Sequence, residues 1–281
     1  MARGGSMAPD RLQQQRFELK YFIPESLAEP IRGFVSCYLE LDAYGVGKPL
    51  NSYAIHSIYL DSDDMALYWD TVNGLKNRYK LRLRYYTDDP KAPVFLEIKR
   101  RSNEAILKQR AGLRRIAAAA LLRGDLPAVE DLVHADAKSV IALNRFYELM
   151  MRLKAGPKVH VAYLREAWVT RHDNSVRVTM DRDTRSEQEL YPSFKCELRR
   201  ALPVFGQEVI LEIKFTGRFP SWLGEMVRAF GLERRSAAKY VDGVTLLNED
   251  QQVHAGALAG DVWIGGNGLT ARKTDTAEID P

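Results

Sequence analysis

Cysteine is scarce: the 281 residues hold two, Cys37 and Cys196, too few for a disulfide framework or a four-ligand zinc site. Both read as small buried hydrophobes. Histidine is sparse too, and His56, His134, His160, His172 and His254 fall at no metal-ligand or triad spacing, so each is expected to be an ordinary core or surface residue. No apolar run approaches the ~20 residues of a membrane helix, and Met1 to Gln15 lacks the apolar centre of a signal peptide, so the chain is expected in the cytoplasm. A large charge excess is missing as well. The 41 Lys and Arg against 37 Asp and Glu leave a formal net charge of +4, which argues against a dedicated nucleic-acid binder. Neither an internal repeat nor a Pro/Ser-rich linker interrupts the chain, which predicts one domain over 16–248 between flexible tails at 1–15 and 249–281.

What is present is an alternation of two periods. Period 2 runs through Arg16 to Phe22, Ser52 to Asp61, Asn77 to Tyr86, Val94 to Arg101 and Ala105 to Arg110. It returns in Val159 to Val169, Ser175 to Asp181, Phe194 to Arg200 and Gln207 to Phe215. Helical period appears in Pro24 to Leu41, Asp63 to Val72, Ala117 to Val133, Ala137 to Lys154, Ser221 to Phe230 and Arg235 to Leu247. Pro24 and Pro220 suit first helical turns, and Asp63 stands where an N-cap would. Strands mostly follow one another through short turns, so the class is α+β with a mainly antiparallel sheet.

The polar half of the strands is unusual. In Arg78-Tyr79-Lys80-Leu81-Arg82-Leu83-Arg84-Tyr85 every even position is basic and every odd one apolar or aromatic, so four cations share one face. Other strands present Arg16, Glu18 and Lys20; Glu97, Lys99 and Arg101; Lys108 and Arg110; Lys195, Glu197 and Arg199; and Glu208, Glu212 and Lys214. One reading is a set of solvated faces on a one-sided sheet. The other is that the sheet curls until the charges face inward and the helices cover the apolar outside. Four cations in a row repel unless counter-charges or a ligand lie opposite. An inward face would therefore require a polyanionic, elongated ligand, with Arg offering its planar fork to phosphate and Lys its point charge. Carboxylates among these cations, Glu212 and Glu208 above all, suit Mg²⁺ or Mn²⁺, which bridge carboxylate to phosphate; internal salt bridging is the other use for them.

These segments together resemble the vacuolar transporter chaperone (VTC) catalytic domain, the polyphosphate polymerase branch of the triphosphate tunnel metalloenzymes. The likeness rests on Glu18 to Tyr21, Ser57 to Asp61, Arg78 to Tyr85, Leu96 to Lys99, Lys108 to Arg110, Tyr163 to Arg165, Val176 to Asp181, Leu211 to Lys214 and Lys239-Tyr240. It implies a closed eight-stranded antiparallel β-barrel, a triphosphate tunnel with helices packed outside. It further implies that Lys20, Arg82, Arg84, Lys99, Arg165, Arg177 and Lys239 bind phosphate, that Glu212 holds the metal and that Tyr163 sits near a nucleotide base. Two positions depart from the pattern. Ala238 replaces the Ser that often precedes the last tunnel lysine, and Arg16 stands where the triphosphatase branch carries the first Glu of E-x-E-x-K.

The activity implied is transfer of the γ-phosphate of ATP to a growing inorganic polyphosphate chain, dependent on Mn²⁺ or Mg²⁺. Arg82, Arg84, Lys99, Arg165, Arg177 and Lys239 would act on the reacting phosphates, while Lys20, Arg78, Lys80, Lys108, Arg110, Tyr163, Arg199 and Lys214 would hold the rest. Hydrolysis of tri- or nucleoside triphosphate in the same tunnel and non-catalytic polymer binding are the alternatives. The expected partners are ATP and polyphosphate, without nucleic acid and without membrane insertion; export would need a separate membrane protein.

Overall fold

Strands and helices alternate largely as the two periods predict. The computed structural model describes residues 16–264 apart from 104 and 174. In chain order the elements are β1 (Arg16–Ile23), α1 (Glu25–Ser36), β2 (Glu40–Leu41), β3 (Ser52–Asp61), α2 (Ala66–Val72), β4 (Asn77–Tyr85), β5 (Val94–Ser102) and β6 (Ala105–Leu113). They continue with α3 (Arg115–Leu121), α4 (Ala137–Leu153), β7 (Gly156–Val169), β8 (Val176–Gln188), β9 (Leu202–Pro203), β10 (Val209–Thr216), α5 (Ser221–Ala229) and α6 (Lys239–Ile264). The expected tail at 1–15 lies outside the described residues, as does everything beyond 264. The stretch 249–264, expected to be tail, is instead the continuation of α6.

Every ladder is antiparallel, and the long strands run in the order β1-β10-β8-β7-β3-β4-β5-β6, with β2 on β7 and β9 on β8. The sheet is not closed into the expected barrel. No ladder joins β1 to β6 among the described residues, and that side is bridged by side chains, Lys99 of β5 reaching Glu18 of β1 at 3.2 Å. Backbone closure needs two edges in register. An ion pair needs only long side chains.

Period-2 alternation puts Leu81 and Leu83 of β4 and Leu96 and Ile98 of β5 on the outer face, where Ala118 and Leu121 of α3 and Phe146 and Leu149 of α4 cover them. A second outer cluster joins Val178 and Met180 of β8 and Leu211 and Ile213 of β10 to Ile31 and Val35 of α1 and Leu223 and Met226 of α5. Each such side chain, fully buried, contributes about 1.5–3 kcal/mol, so the outer face accounts for the attachment of four helices.

Helix α6 does not share this arrangement. Its Tyr240, Val241 and Val244 pack with Tyr53, Ile55 and Tyr59 of β3 and Tyr163 of β7, and these strand residues also line the interior cavity. So α6 sits on the charged face, contrary to the expectation that all helices lie outside.

Other expectations fail for local reasons. Phe194 to Arg200 is not a strand: Phe194 takes a left-handed φ of 55°, and its neighbours' backbone groups are bonded by side chains. Tyr85 donates to the Lys195 carbonyl, while Asp88 accepts from the Cys196 amide and Glu187 from the Arg199 amide. Helix α1 stops at Ser36, which leaves Cys37 exposed rather than buried. Asp63 is not the cap of α2; Asp61, at the end of β3, accepts from the amides of Leu67 and Tyr68 instead. Among the described residues no helix is long and apolar enough to cross a membrane.

Candidate functional site

The inner face of the sheet surrounds a cavity of ≈ 1030 Å³. Among the described residues sixteen Lys and Arg line it against three carboxylates, Glu18, Glu212 and Asp242, so its walls carry an excess of positive charge. Parity accounts for most of them. Arg78, Lys80, Arg82 and Arg84 of β4 all face the cavity, as do Lys99 and Arg101 of β5, Lys108 and Arg110 of β6, Lys20 of β1, Arg165 of β7, Arg177 of β8 and Lys214 of β10. Of the two readings left open by the sequence, the inward one holds.

Two buried carboxylates organise this charge. Glu97, 0% exposed, meets Arg82 at 2.6 Å, Lys108 at 2.7 Å, Arg110 at 3.6 Å and Arg84 at 3.8 Å. Burial would raise its pKa, yet Arg82, Arg84 and Lys108 hold it well below the carboxylate range. Asp181 of β8 accepts two hydrogen bonds from the Arg165 guanidinium at 2.7 Å and pairs with Lys239 at 2.7 Å. Asp181 is held low by the same logic, burial opposed by Arg165 and Lys239. Lys239 opens α6, and its own pKa is pushed up because Asp181 and Glu212 outweigh burial.

Glu212 faces Lys214 at 2.5 Å, Lys239 at 3.2 Å, Lys20 at 3.5 Å and Arg165 at 3.7 Å. Burial works against its charge, but Lys214, Lys239, Lys20 and Arg165 hold it ionised well below the usual range. Glu18, nearby on β1, pairs with Lys20 at 3.3 Å; burial is outweighed by Lys99 and Lys214, which bring it down to about 2. No cluster of three His, Cys, Asp or Glu exists among the described residues. The donor set does not form a preformed protein cage for a cation. Glu212 or Glu18 could give one carboxylate oxygen to an ion that arrives with phosphate oxygens, the usual habit of Mg²⁺.

Three lysines sit near their titration points. Burial lowers Lys80 to about 8, with Lys99 and Lys20 adding repulsion, and burial lowers Lys108 and Lys214 to about 8 against the pull of Glu97 and Glu212 respectively. Tyr59 accepts from Arg82 Nη1 at 3.1 Å; burial would raise its hydroxyl, but Arg82, Lys80 and Arg84 bring it to about 8.

Two of the sequence-derived residues are elsewhere. Glu208 precedes β10, is half-exposed and pairs with Arg235 at 3.2 Å; it does not line the cavity with Glu212. Arg199 lies in the irregular stretch after β8, where no strand parity can aim it inward. Tyr163 does line the cavity, but its hydroxyl accepts from Arg84 at 3.3 Å while Arg165 and Lys239 lie over its ring at 5.2 and 4.9 Å. Its surroundings are those of the cations. The sequence reading gave no role to Asp181, although it lies four residues after Arg177 on the same strand face. Arg234 belonged to no periodic segment and carried no signal, while Arg235 and Ser236, expected at the start of a helix, lie in the link between α5 and α6 and face the cavity there.

With this geometry in view, comparison with known families is decisive for residues 15–248, which match the model of the VTC domain. The chain belongs to the VTC domain family. No curated protein matches the chain. Solved structures similar to this VTC domain include a protein from Pyrococcus horikoshii OT3, at 14% identity over 83% of this chain and 99% of that one, with a TM-score of 0.42. A proposed adenylate cyclase from Bacillus halodurans shows 14% identity over 80% and 94%, TM-score 0.45. Another from Vibrio parahaemolyticus shows 12% over 80% and 95%, TM-score 0.39. At such scores the structural likenesses bear on neither the fold nor the chemistry of the domain.

Proposed function

We propose that this VTC domain is a polyphosphate polymerase that transfers the γ-phosphoryl group of ATP to the end of an inorganic polyphosphate chain and releases ADP. The observation that carries the reading is the convergence, among the described residues, of sixteen cations on one ≈ 1030 Å³ cavity, against three carboxylates in its lining and the buried Glu97 and Asp181 that pair with those cations, in a member of this family. A polyanion longer than one phosphate is the ligand that offsets such a charge excess.

Phosphoryl transfer asks for alignment and charge stabilisation more than covalent chemistry. The described cavity lining contains neither Cys nor His, and in this reading the substrate itself supplies the nucleophile. A terminal oxygen of the acceptor polyphosphate attacks Pγ, the bond from Pγ to the β–γ bridging oxygen breaks, and ADP leaves with that electron pair. The acceptor oxygen is already anionic and needs no general base. Arg82, Arg84, Lys99, Arg165, Arg177 and Lys239 hold the reacting phosphates in line, and Lys20, Arg78, Lys80, Lys108, Arg110 and Lys214 carry the remaining charge. When bound, Mg²⁺ or Mn²⁺ at Glu212 would neutralise further phosphate charge.

Incubation with ATP and Mn²⁺, followed by a polyphosphate gel, tests the proposal, with a ladder of products as the expected result. Release of inorganic phosphate without a ladder would make the domain a tunnel triphosphatase. Tight polymer binding without turnover would make it a binding module, and either result overturns the polymerase.

A further inference from the structure

Two of the family-like segments, Ser57 to Asp61 and Lys239-Tyr240, are far apart in sequence and meet at the wall of the cavity. Ser57, Tyr59 and Asp61 alternate along β3 and so share its inner face. Two of them touch cations of the lining, and the third holds Tyr240 of α6. Ser57 Oγ accepts from Arg84 Nε at 3.4 Å, Tyr59 accepts from Arg82 at 3.1 Å, and Asp61 accepts from the Tyr240 hydroxyl at 2.5 Å. The Tyr59 and Tyr240 rings stack at 4.8 Å with 20° between their planes.

Asp61 is 0% exposed, and a buried carboxylate is costly unless its lone pairs are filled. The amides of Leu67 and Tyr68 bond to it and cap α2, the Ser62 amide and hydroxyl add two more donors, and Tyr240 supplies another from a different helix. Tyr240 and Lys239 are successive residues in the first turn of α6, about 100° apart around its axis. Pinning the Tyr240 hydroxyl to Asp61 and its ring to Tyr59 therefore sets the rotation of α6, and with it the place of the Lys239 ammonium.

We infer that Ser57, Tyr59 and Asp61 of β3, together with Tyr240, are positioning residues that set where Arg84, Arg82 and Lys239 present their charge to phosphate. The inference rests on the proposal that these cations bind the substrate. It is tested by coupling rather than by loss alone, because removing any buried hydrogen bond costs stability.

Affinity for inorganic tripolyphosphate without metal is measured by calorimetry for the full chain and for Tyr240→Phe, Lys239→Ala and the double variant. Tyr240→Phe keeps the ring stack and removes the one hydrogen bond, and is expected to weaken binding about tenfold. The double variant is expected to bind no more weakly than Lys239→Ala. An unchanged affinity in Tyr240→Phe overturns the inference, and so does a loss that repeats in full on the Lys239→Ala background. If Lys239→Ala itself binds normally, the phosphate reading of this lysine fails instead. Tyr59→Phe provides a second arm that leaves the Asp61 to Tyr240 bond in place. Its loss of affinity must vanish in an Arg82→Ala background, and persistence there counts against the row.

Discussion

Glu97 shows how much one residue decides here. It carries four cationic partners from β4 and β6 at once and is the buried counter-charge they share. Glu97→Gln is expected to lower folding stability by about 3–5 kcal/mol, read from urea unfolding near neutral pH, because it leaves buried guanidinium charge without its counter-ion. A carboxyl held low contributes stability that is complete above its ordinary pKa and lost as pH falls through the folded value. The acid side of the stability profile should therefore flatten in Glu97→Gln. Arg82→Ala with Arg84→Ala is expected to abolish turnover while the far-ultraviolet circular dichroism remains native. Full activity in that folded double variant would mean that the β4 row does not serve the reaction.

At the scale of the element, β4 lays cations along one face, and burial makes some of them titratable. Lys80 of β4 and Lys108 of β6 lie at about 8. Below that pH both are charged, and above it they lose the proton that phosphate needs. Affinity for tripolyphosphate is expected to fall between pH 7 and 9, by at most about tenfold per pH unit for each proton taken up on binding. Lys80→Arg should flatten that fall, because guanidinium stays charged throughout. A pH-independent affinity in the parent protein would count against both lysines as ligands. The strands themselves were legible, because Tyr79, Leu81, Leu83 and Tyr85 alternate with charge over a whole strand. Phe194 to Cys196 imitates the same alternation, but its backbone partners are Tyr85 and Asp88, which no local pattern reveals.

For the molecule as a whole, a near-neutral sum of +4 conceals a segregated distribution: sixteen of the described basic residues line one cavity, while acidic side chains elsewhere offset them. Binding dominated by that cavity should be salt-sensitive. Raising KCl from 50 to 200 mM is expected to weaken tripolyphosphate binding roughly tenfold, checked by calorimetry at fixed pH. The side-chain period of the strands determined which residues form a charged face and which an apolar one, since successive side chains in a strand point to opposite faces whatever the partner strand is. That reading put Lys80, Arg82, Arg84, Lys99 and Lys214 on charged strand faces, and the structure turns those faces toward one cavity. Only the tertiary structure decided that β1 and β6 stay unladdered, that α6 enters the charged face, that Asp181 holds Arg165 and Lys239, and that Glu208 and Arg199 fall outside. Those outcomes depend on register and helix placement between segments far apart in the chain, where parity has nothing to say.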